Sequence, residues 1–218
     1  MRVHLKLQAT QNTVPFNYQP QITGAFHKWI GQNNLHDATS LYSFSWLSGG
    51  EKKGDGLVFK QGATLHFSAY DDQIIKKLIE GIQLDPYINF GLTVTEVMIQ
   101  QTPDFTNKEV FFIASPVLIK RTEGEREIHY TYEQPEADVL LTETIKNKLR
   151  KAGLDDSNIT IAFDKSYQSP KTKLVYYKSI GNKANMCPVI IEGTPQQIAF
   201  AWNVGVGNST GIGFGALK

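Results

Sequence analysis

The chain has 218 residues, 41% of them hydrophobic and 20% charged, with 22 Lys and Arg against 21 Asp and Glu for a net charge of +1. That length allows one large domain or two small ones at about 100–200 residues each, and the apolar content excludes a disordered tail. The single cysteine, Cys187, excludes an intrachain disulfide and a cysteine-cluster zinc site, and a near-neutral total argues at first against nucleic acid as a partner.

Val3, Leu5 and Leu7 alternate with His4 and Lys6, the pattern of a half-buried strand. No apolar signal block follows. The longest apolar run, Val110 to Ile119, is shorter than the roughly 20 residues of a membrane span and is broken by Pro116. A soluble, cytoplasmic protein with no membrane partner is therefore expected. Pro15 and Pro20 mark a loop. An amphipathic helix then runs from about Gln21 to Gly31, with Ile22, Phe26, Trp29 and Ile30 on one face. Leu41–Leu47 predicts a strand, the glycine- and lysine-rich stretch Ser48–Gly56 an exposed turn, and Leu57–Lys60 and Thr64–Ala69 two more strands. Asp71 and Asp72 open a second helix with Ile74, Ile75, Leu78, Ile79 and Ile82 on its core face, and Val94–Ile99 closes the unit.

The order β-α-β-β-α-β is the ferredoxin-like pattern, and the second half repeats it. Val110–Ile113 predicts a strand extended by Ile128–Tyr132, Thr142–Ala152 a helix, and Ile159–Phe163 a strand. Lys173–Ile180 and Met186–Glu192 predict a hairpin around Gly181-Asn182-Lys183, Thr194–Asn203 a capped helix, and Ile212–Leu217 a last strand. The fold class expected is α+β, two tandem ferredoxin-like (RRM-like) domains. The first spans residues 1–105 and the second residues 106–218.

The most specific feature is the segment from Gly205 to Gly215, which holds five of the 18 glycines. Clustered glycines permit positive φ and close backbone approach, and their N–H groups can cradle phosphate oxygens. A dinucleotide fingerprint is excluded because a helix precedes the segment and a strand follows, and a Walker A loop because no Gly-Lys-Ser/Thr ending is present. The bland alternative is a tightly packed helix-to-strand connection.

Gly205-Val-Gly207, five residues, then Gly213-Phe-Gly215 resembles the signature loop of the CRISPR repeat-processing endoribonucleases, RNA-binding proteins of the RAMP type. Val14-Pro-Phe-Asn-Tyr18, the helix after it and Leu35-His-Asp37 resemble that family's first helix and active-site segment. The resemblance implies two ferredoxin-like domains, binding of CRISPR repeat RNA, and a single cut in the precursor crRNA. It also implies 2′,3′-cyclic phosphate and 5′-OH products without a metal, and hand-over of the product to a Cascade-like effector complex. It places the active-site histidine at His36 and a partner at His27. The RNA-binding loop falls at Gly205, Gly207, Asn208, Ser209, Gly211, Gly213 and Gly215. The five central positions, Asn208 to Ile212, include no basic residue.

The residues themselves agree with two catalytic histidines. At about 100° per residue, His27 lies roughly 120° from the centre of the first helix's core face, and His36 stands in the polar link just beyond that helix. RNA cleavage without a metal needs one group to take the 2′-OH proton and another to protonate the leaving 5′-oxygen, and imidazole suits both. The lysine that some members of the family carry shortly after that histidine is absent from the Ala38–Tyr42 stretch, so the resemblance implies stabilisation of the phosphorane from elsewhere, such as Lys28, Ser40 or a backbone amide. His4, His66 and His129 read as structural or solvated. No His-x-x-x-His pair or cysteine cluster is present, and no metal or cofactor is expected.

Charge is unevenly distributed. Residues 1–105 carry 8 basic and 9 acidic residues, residues 106–164 carry 8 and 11, and residues 165–218 carry 6 and 1. Lys171, Lys173, Lys178 and Lys183 in this last basic quarter alternate with tyrosines, which suits phosphates and unpaired bases. Lys146–Lys151 reads as a solvated helix face or a second patch for a duplex groove. The alternative to an endoribonuclease is a non-catalytic crRNA-binding subunit of an effector complex, which shares the glycine loop and lysines but does not need the histidines.

Overall fold

The computed structural model describes residues 1–8, 10–31 and 39–218. The first half contains β1 (Arg2–Leu7), β2 (Thr10–Pro15), α1 (Gln19–Ile30), β3 (Tyr42–Phe44), β4 (Glu51–Lys53), β5 (Gly56–Phe59), β6 (Ala63–Ala69), α2 (Asp72–Leu84), β7 (Tyr87–Asn89) and β8 (Leu92–Gln100). Strands β3-β6-β1-β8-β7 form an antiparallel sheet whose first four members stand in ferredoxin-like order. Val3, Leu5 and Leu7 of β1 are buried with Ile22, Phe26, Trp29 and Ile30 of α1 and Ile75, Leu78 and Ile82 of α2. Each such side chain contributes about 1.5–3 kcal/mol of transfer free energy. The Asp71 carboxylate caps α2 by accepting from the Gln73 N–H at 2.9 Å. Gly81 lets α2 close onto the Trp29 backbone, which an added Cβ would overlap.

The Pro15 region and the Ser48–Gly56 turn are more ordered than their composition implies. They form a separate sheet, β2-β5-β4. Its buried anchor is Val14, opposite Leu57, in an otherwise polar stretch that hides the strand.

The second half contains β9 (Lys108–Phe111), β10 (Lys120–Glu123), β11 (Arg126–His129), α3 (Pro135–Lys151), β12 (Thr160–Phe163), β13 (Lys171–Tyr177), β14 (Ile180–Met186), β15 (Val189–Glu192) and α4 (Pro195–Val204). Its sheet is β12-β15-β9. The core joins Leu141, Ile145 and Leu149 of α3, Ile161, Val189 and Ile191 of the sheet, and Ile198 and Ala201 of α4. A capping box starts α4, with the Thr194 hydroxyl accepting from Gln197 N–H and the Gln197 side chain accepting from Thr194 N–H.

Four expectations are corrected. Ile128–Tyr132 does not extend β9, because β11 pairs with β10 in a hairpin of its own. Helix α3 starts about two turns earlier than expected, with Pro135 in its first turn and Glu136 and Asp138 suiting the dipole. The β13–β14 hairpin turns at Lys178, which takes φ 55°, and not at Gly181-Asn182-Lys183. Gly181 lies within β14, where an added Cβ would meet Leu174 and the Tyr176 ring at 3.3 Å. Finally, Ile212–Leu217 is no regular strand. Thr210–Ile212 forms a 3₁₀ turn, and Gly213 and Gly215 at φ 92° and 64° interrupt the extended path. Only Leu217 bridges to Ile113, with Lys218 N–H donating to Phe112 C=O at 2.8 Å, so the last residues lie beside the end of β9.

Candidate nucleic-acid interface

Helix α4 ends at Gly205 with φ 71°, its N–H donating to Ala201 C=O at 2.8 Å. The segment that follows folds back on itself. Val206 N–H donates to Gly215 C=O and Gly215 N–H to Pro116 C=O, both at 2.8 Å, and Asn208 N–H to Leu118 C=O at 2.7 Å. The glycines work chiefly by fit. A Cβ at Gly205 would meet Gly215 O at 2.7 Å, one at Gly207 would meet Leu118 O at 2.5 Å, and one at Gly215 would overlap Val206 O. Gly205, Gly207, Gly211, Gly213 and Gly215 are all buried, so the half-exposed rim consists of Asn208, Ser209 and Ile212. Asn208 Oδ1 accepts from Lys120 N–H at 3.0 Å, and Ser209 is held at φ 60°.

Gly215→Ala is accordingly expected to cost about 2 kcal/mol or more, from backbone overlap and a positive φ together. Urea denaturation against the wild type measures this, and an unchanged midpoint would contradict the close fit.

Three groups of residues meet the glycine segment. From α3, the Lys148 side chain is 2% exposed and donates to Val204 O, Gly205 O and Thr210 Oγ1 at 3.2, 3.1 and 3.1 Å. Burial pulls its ammonium down from 10.5 to about 7. From the chain entering β3, Ser40 and Tyr42 press on Gly211, the Tyr42 hydroxyl standing 2.9 Å from where a Cβ would be. Burial pushes the Tyr42 phenol up, against a hydrogen bond with Ser40 that pulls it down, and Tyr177 of β13 lies close enough to act on it as well. Beyond β3, Trp46 Nε1 donates to Gly213 O at 2.8 Å. The Lys173 ammonium stands 4.5 Å from the centre of the Trp46 ring. Leu118, Val175, Ala184 and Phe214 form a small core beneath, packed by Trp46 and Ile212.

Among the sequence-derived candidates, His27 lies half-buried in the last turn of α1. Helix α1 itself touches the 3₁₀ turn of the glycine segment. His36 falls in residues 32–38, outside the described residues. Lys28 does not face the segment freely. Its ammonium donates to Asp85 Oδ2 at 2.8 Å and to Tyr87 O at 2.6 Å. The four candidate lysines of the basic quarter do not share a face. Lys171 and Lys173 lie with Val175 on the inner face of β13, Lys178 is in the turn, and Lys183 pairs opposite Leu174 on the outer face. His66 is buried, and loss of solvent drives its imidazole well below the ordinary value, with Arg2 and His4 adding to the effect.

Sequence reasoning missed Lys148, Trp46 and Tyr42. Lys148 was read with the Lys146–Lys151 run as surface charge, and the structure turns it inward while Arg150 pairs with Asp156 at 2.8 Å. Its signal was the spacing Leu141, Ile145, Lys148, Leu149, which puts it on the apolar stripe of α3. Among the described residues, no group of three or more His, Cys, Asp or Glu could hold a metal ion, and no helix is long and apolar enough to cross a membrane.

Fold and site define an α+β protein with tandem ferredoxin-like folds and a C-terminal glycine segment. The family model described as "CRISPR associated protein Cas6, C-terminal" matches residues 100–218, more than half of the chain, and the chain belongs to the Cas6 family. A curated relative, the "Putative CRISPR-associated endoribonuclease-like protein Cas6" of Pyrococcus furiosus, is 22% identical over all of this chain and 98% of its own length. Among solved structures, a Cas6-related protein from Pyrococcus furiosus superposes with a TM-score of 0.87 at 20% identity, covering 100% of this chain and 97% of that one. A RAMP protein described as binding different RNA substrates gives 0.80 at 19% identity, over 100% and 98% of the two chains.

Proposed function

We propose that the chain is a metal-independent endoribonuclease that binds CRISPR repeat RNA and cuts precursor crRNA within the repeat. The observation that carries this reading is a contact. The glycine segment packs on Ser40 and Tyr42, which come a few residues after His36 in the chain, and Tyr177 of the lysine-bearing hairpin acts on the Tyr42 phenol through its charge. This contact supports a shared RNA site to which the glycine loop, the segment carrying His36 and the hairpin would each contribute. Two ferredoxin-like units, residues 1–105 and 106–218, would supply it jointly. Asn208 and Ser209 would form the loop's RNA-facing rim, and Lys171, Lys173, Lys178 and Lys183 would neutralise phosphates.

In this reading one imidazole, of His27 or His36, takes the proton from the ribose 2′-OH. The 2′-oxygen attacks the adjacent phosphorus, the bond to the 5′-oxygen breaks, and the second imidazole, in its protonated form, gives that oxygen its proton. The products are a 2′,3′-cyclic phosphate and a 5′-OH. Ser40 or a backbone amide would donate to the developing charge. The engagement of Lys28 with Asp85 favours a second reading, an RNA-binding subunit without catalysis, because it ties up a cation that the first reading would use to stabilise the phosphorane. Incubation with labelled repeat RNA in EDTA separates the two. Cleavage is expected to continue in EDTA and to stop when the nucleotide at the cut lacks its 2′-OH. No cleavage, or cleavage only with Mg²⁺, overturns the first reading.

A further inference from the structure

A pocket of about 530 Å³ opens between β13 and the β2-β5-β4 sheet, and His27 is not among its lining residues. Its volume lies within the roughly 300–1,000 Å³ of small-molecule sites. Phe16, Trp46 and Tyr176 give it aromatic walls, and Phe16 and Tyr176 are 47% and 52% exposed, more than packing alone requires. Two ammonium groups flank these walls. Lys52 stands 6.0 Å from the Phe16 ring centre and Lys173 4.5 Å from that of Trp46. Among the described residues, no acidic side chain lines the pocket. Strand β13 pairs with β14 on one side only, so among the described residues its other edge is not taken up by a strand where Lys173–Tyr176 border the cavity.

We propose that this pocket receives one unpaired nucleotide of a bound single-stranded RNA, its base between Phe16, Trp46 and Tyr176 and its flanking phosphates at Lys52 and Lys173. The chemistry selects this occupant over a peptide. Aromatic faces stack on any base, two cations lining the pocket suit a phosphodiester, and an open strand edge offers N–H and C=O groups to a base edge. Lys173 is partly desolvated and lies near Lys171, both of which disfavour its charge until an anion arrives. Because Trp46 also donates to Gly213 O, a base held here is tied to the glycine segment. The inference rests on the RNA-binding reading and extends it to a position outside the cleavage centre.

The test uses the full chain, a cognate repeat RNA carrying 5-iodouridine, and a single-stranded octanucleotide of mixed sequence. Trp29 and Trp202 are 3% and 4% exposed, so fluorescence quenching on adding the octanucleotide would report Trp46. Phe16→Ala with Tyr176→Ala is expected to weaken octanucleotide binding about ten- to a hundredfold. Photocrosslinks should map to Phe16, Trp46 or Tyr176. Lys52→Gln with Lys173→Gln should lower the slope of log affinity against log salt by about 1.4. Circular dichroism confirms that the variants fold. If the wild type binds and cuts repeat RNA but the aromatic variant keeps full affinity and no crosslink reaches the pocket, the pocket assignment falls while the endoribonuclease reading stands. If the wild type binds no RNA, both fall. Quenching by a protein partner but not by the octanucleotide also overturns the nucleotide assignment.

Discussion

His36→Ala will slow cleavage of a repeat RNA by about 10²–10⁴-fold while RNA binding persists, and His27→Asn will do the same. The size follows from the chemistry. Each imidazole would move one proton in the transition state, and its loss leaves water to do so without positioning. The two effects should not multiply in the double variant, because removing either proton carrier already disables the paired transfer. His27 lies in the last turn of α1, half-buried and off the face occupied by Phe26, Trp29 and Ile30, so asparagine there preserves the helix and its packing. Single-turnover cleavage under saturating protein, with binding measured separately by filter retention on uncleavable 2′-deoxy substrate, checks both parts. A variant that still cuts at the wild-type rate removes that histidine from the mechanism. Loss of binding and cutting together would make it a structural residue instead.

Legibility in the sequence followed the strength of periodicity. Helices α1 and α2 could be read because their apolar residues recur at helical spacing, and β1 and β6 because theirs alternate. With the strands predicted at Leu41–Leu47 and Val94–Ile99, those elements imply the ferredoxin-like order of the first sheet. Strand β2 was invisible because its burial rests on Val14 within a polar, proline-ended stretch. The hairpin turn was misplaced because Gly181 and Asn182 carry turn chemistry. In the fold Gly181 makes room for the Leu174 and Tyr176 side chains, and the buried Asn182 amide donates to Ile180 O at 3.0 Å. At the candidate site, glycine spacing located the loop but not its mode of action. Local sequence cannot say that Leu118 O, Gly215 O and Val206 O stand where Cβ atoms would be, since that depends on the segment folding back on itself and on the chain around Leu118. Lys148 shows the same limit in a charge. Its neighbours Lys146, Arg150 and Lys151 suggest a solvated face, and only long-range packing against Val204, Gly205 and Thr210 turns it inward.

Lys148→Met will lower stability by more at pH 9 than at pH 6, and the gap between wild type and variant will widen by about 2–3 kcal/mol across that range. In the folded chain burial brings this ammonium from 10.5 to about 7, while the unfolded chain keeps the ordinary value. Below pH 7 both states hold the proton, so the desolvation penalty is fully present and this group gives no slope. Between pH 7 and 10.5 the unfolded chain binds a proton that the folded chain has released. Wild-type stability therefore rises with pH through that window, by about 1.4 kcal/mol per unit at most. Methionine does not titrate and has no such slope, and groups common to both proteins, including Lys173 and Cys187, cancel in the difference. The variant carries a further cost at every pH. Val204 O, Gly205 O and Thr210 Oγ1 lose a buried donor, at about 1–3 kcal/mol for each group left unsatisfied. Because these atoms form the neck of the glycine segment, the variant should also bind repeat RNA more weakly without any change in the charge that faces solvent. Urea denaturation at pH 6 and pH 9 decides the matter. Parallel pH dependence in the two proteins would mean that Lys148 does not release its proton in this range and that its three oxygen partners hold it charged throughout.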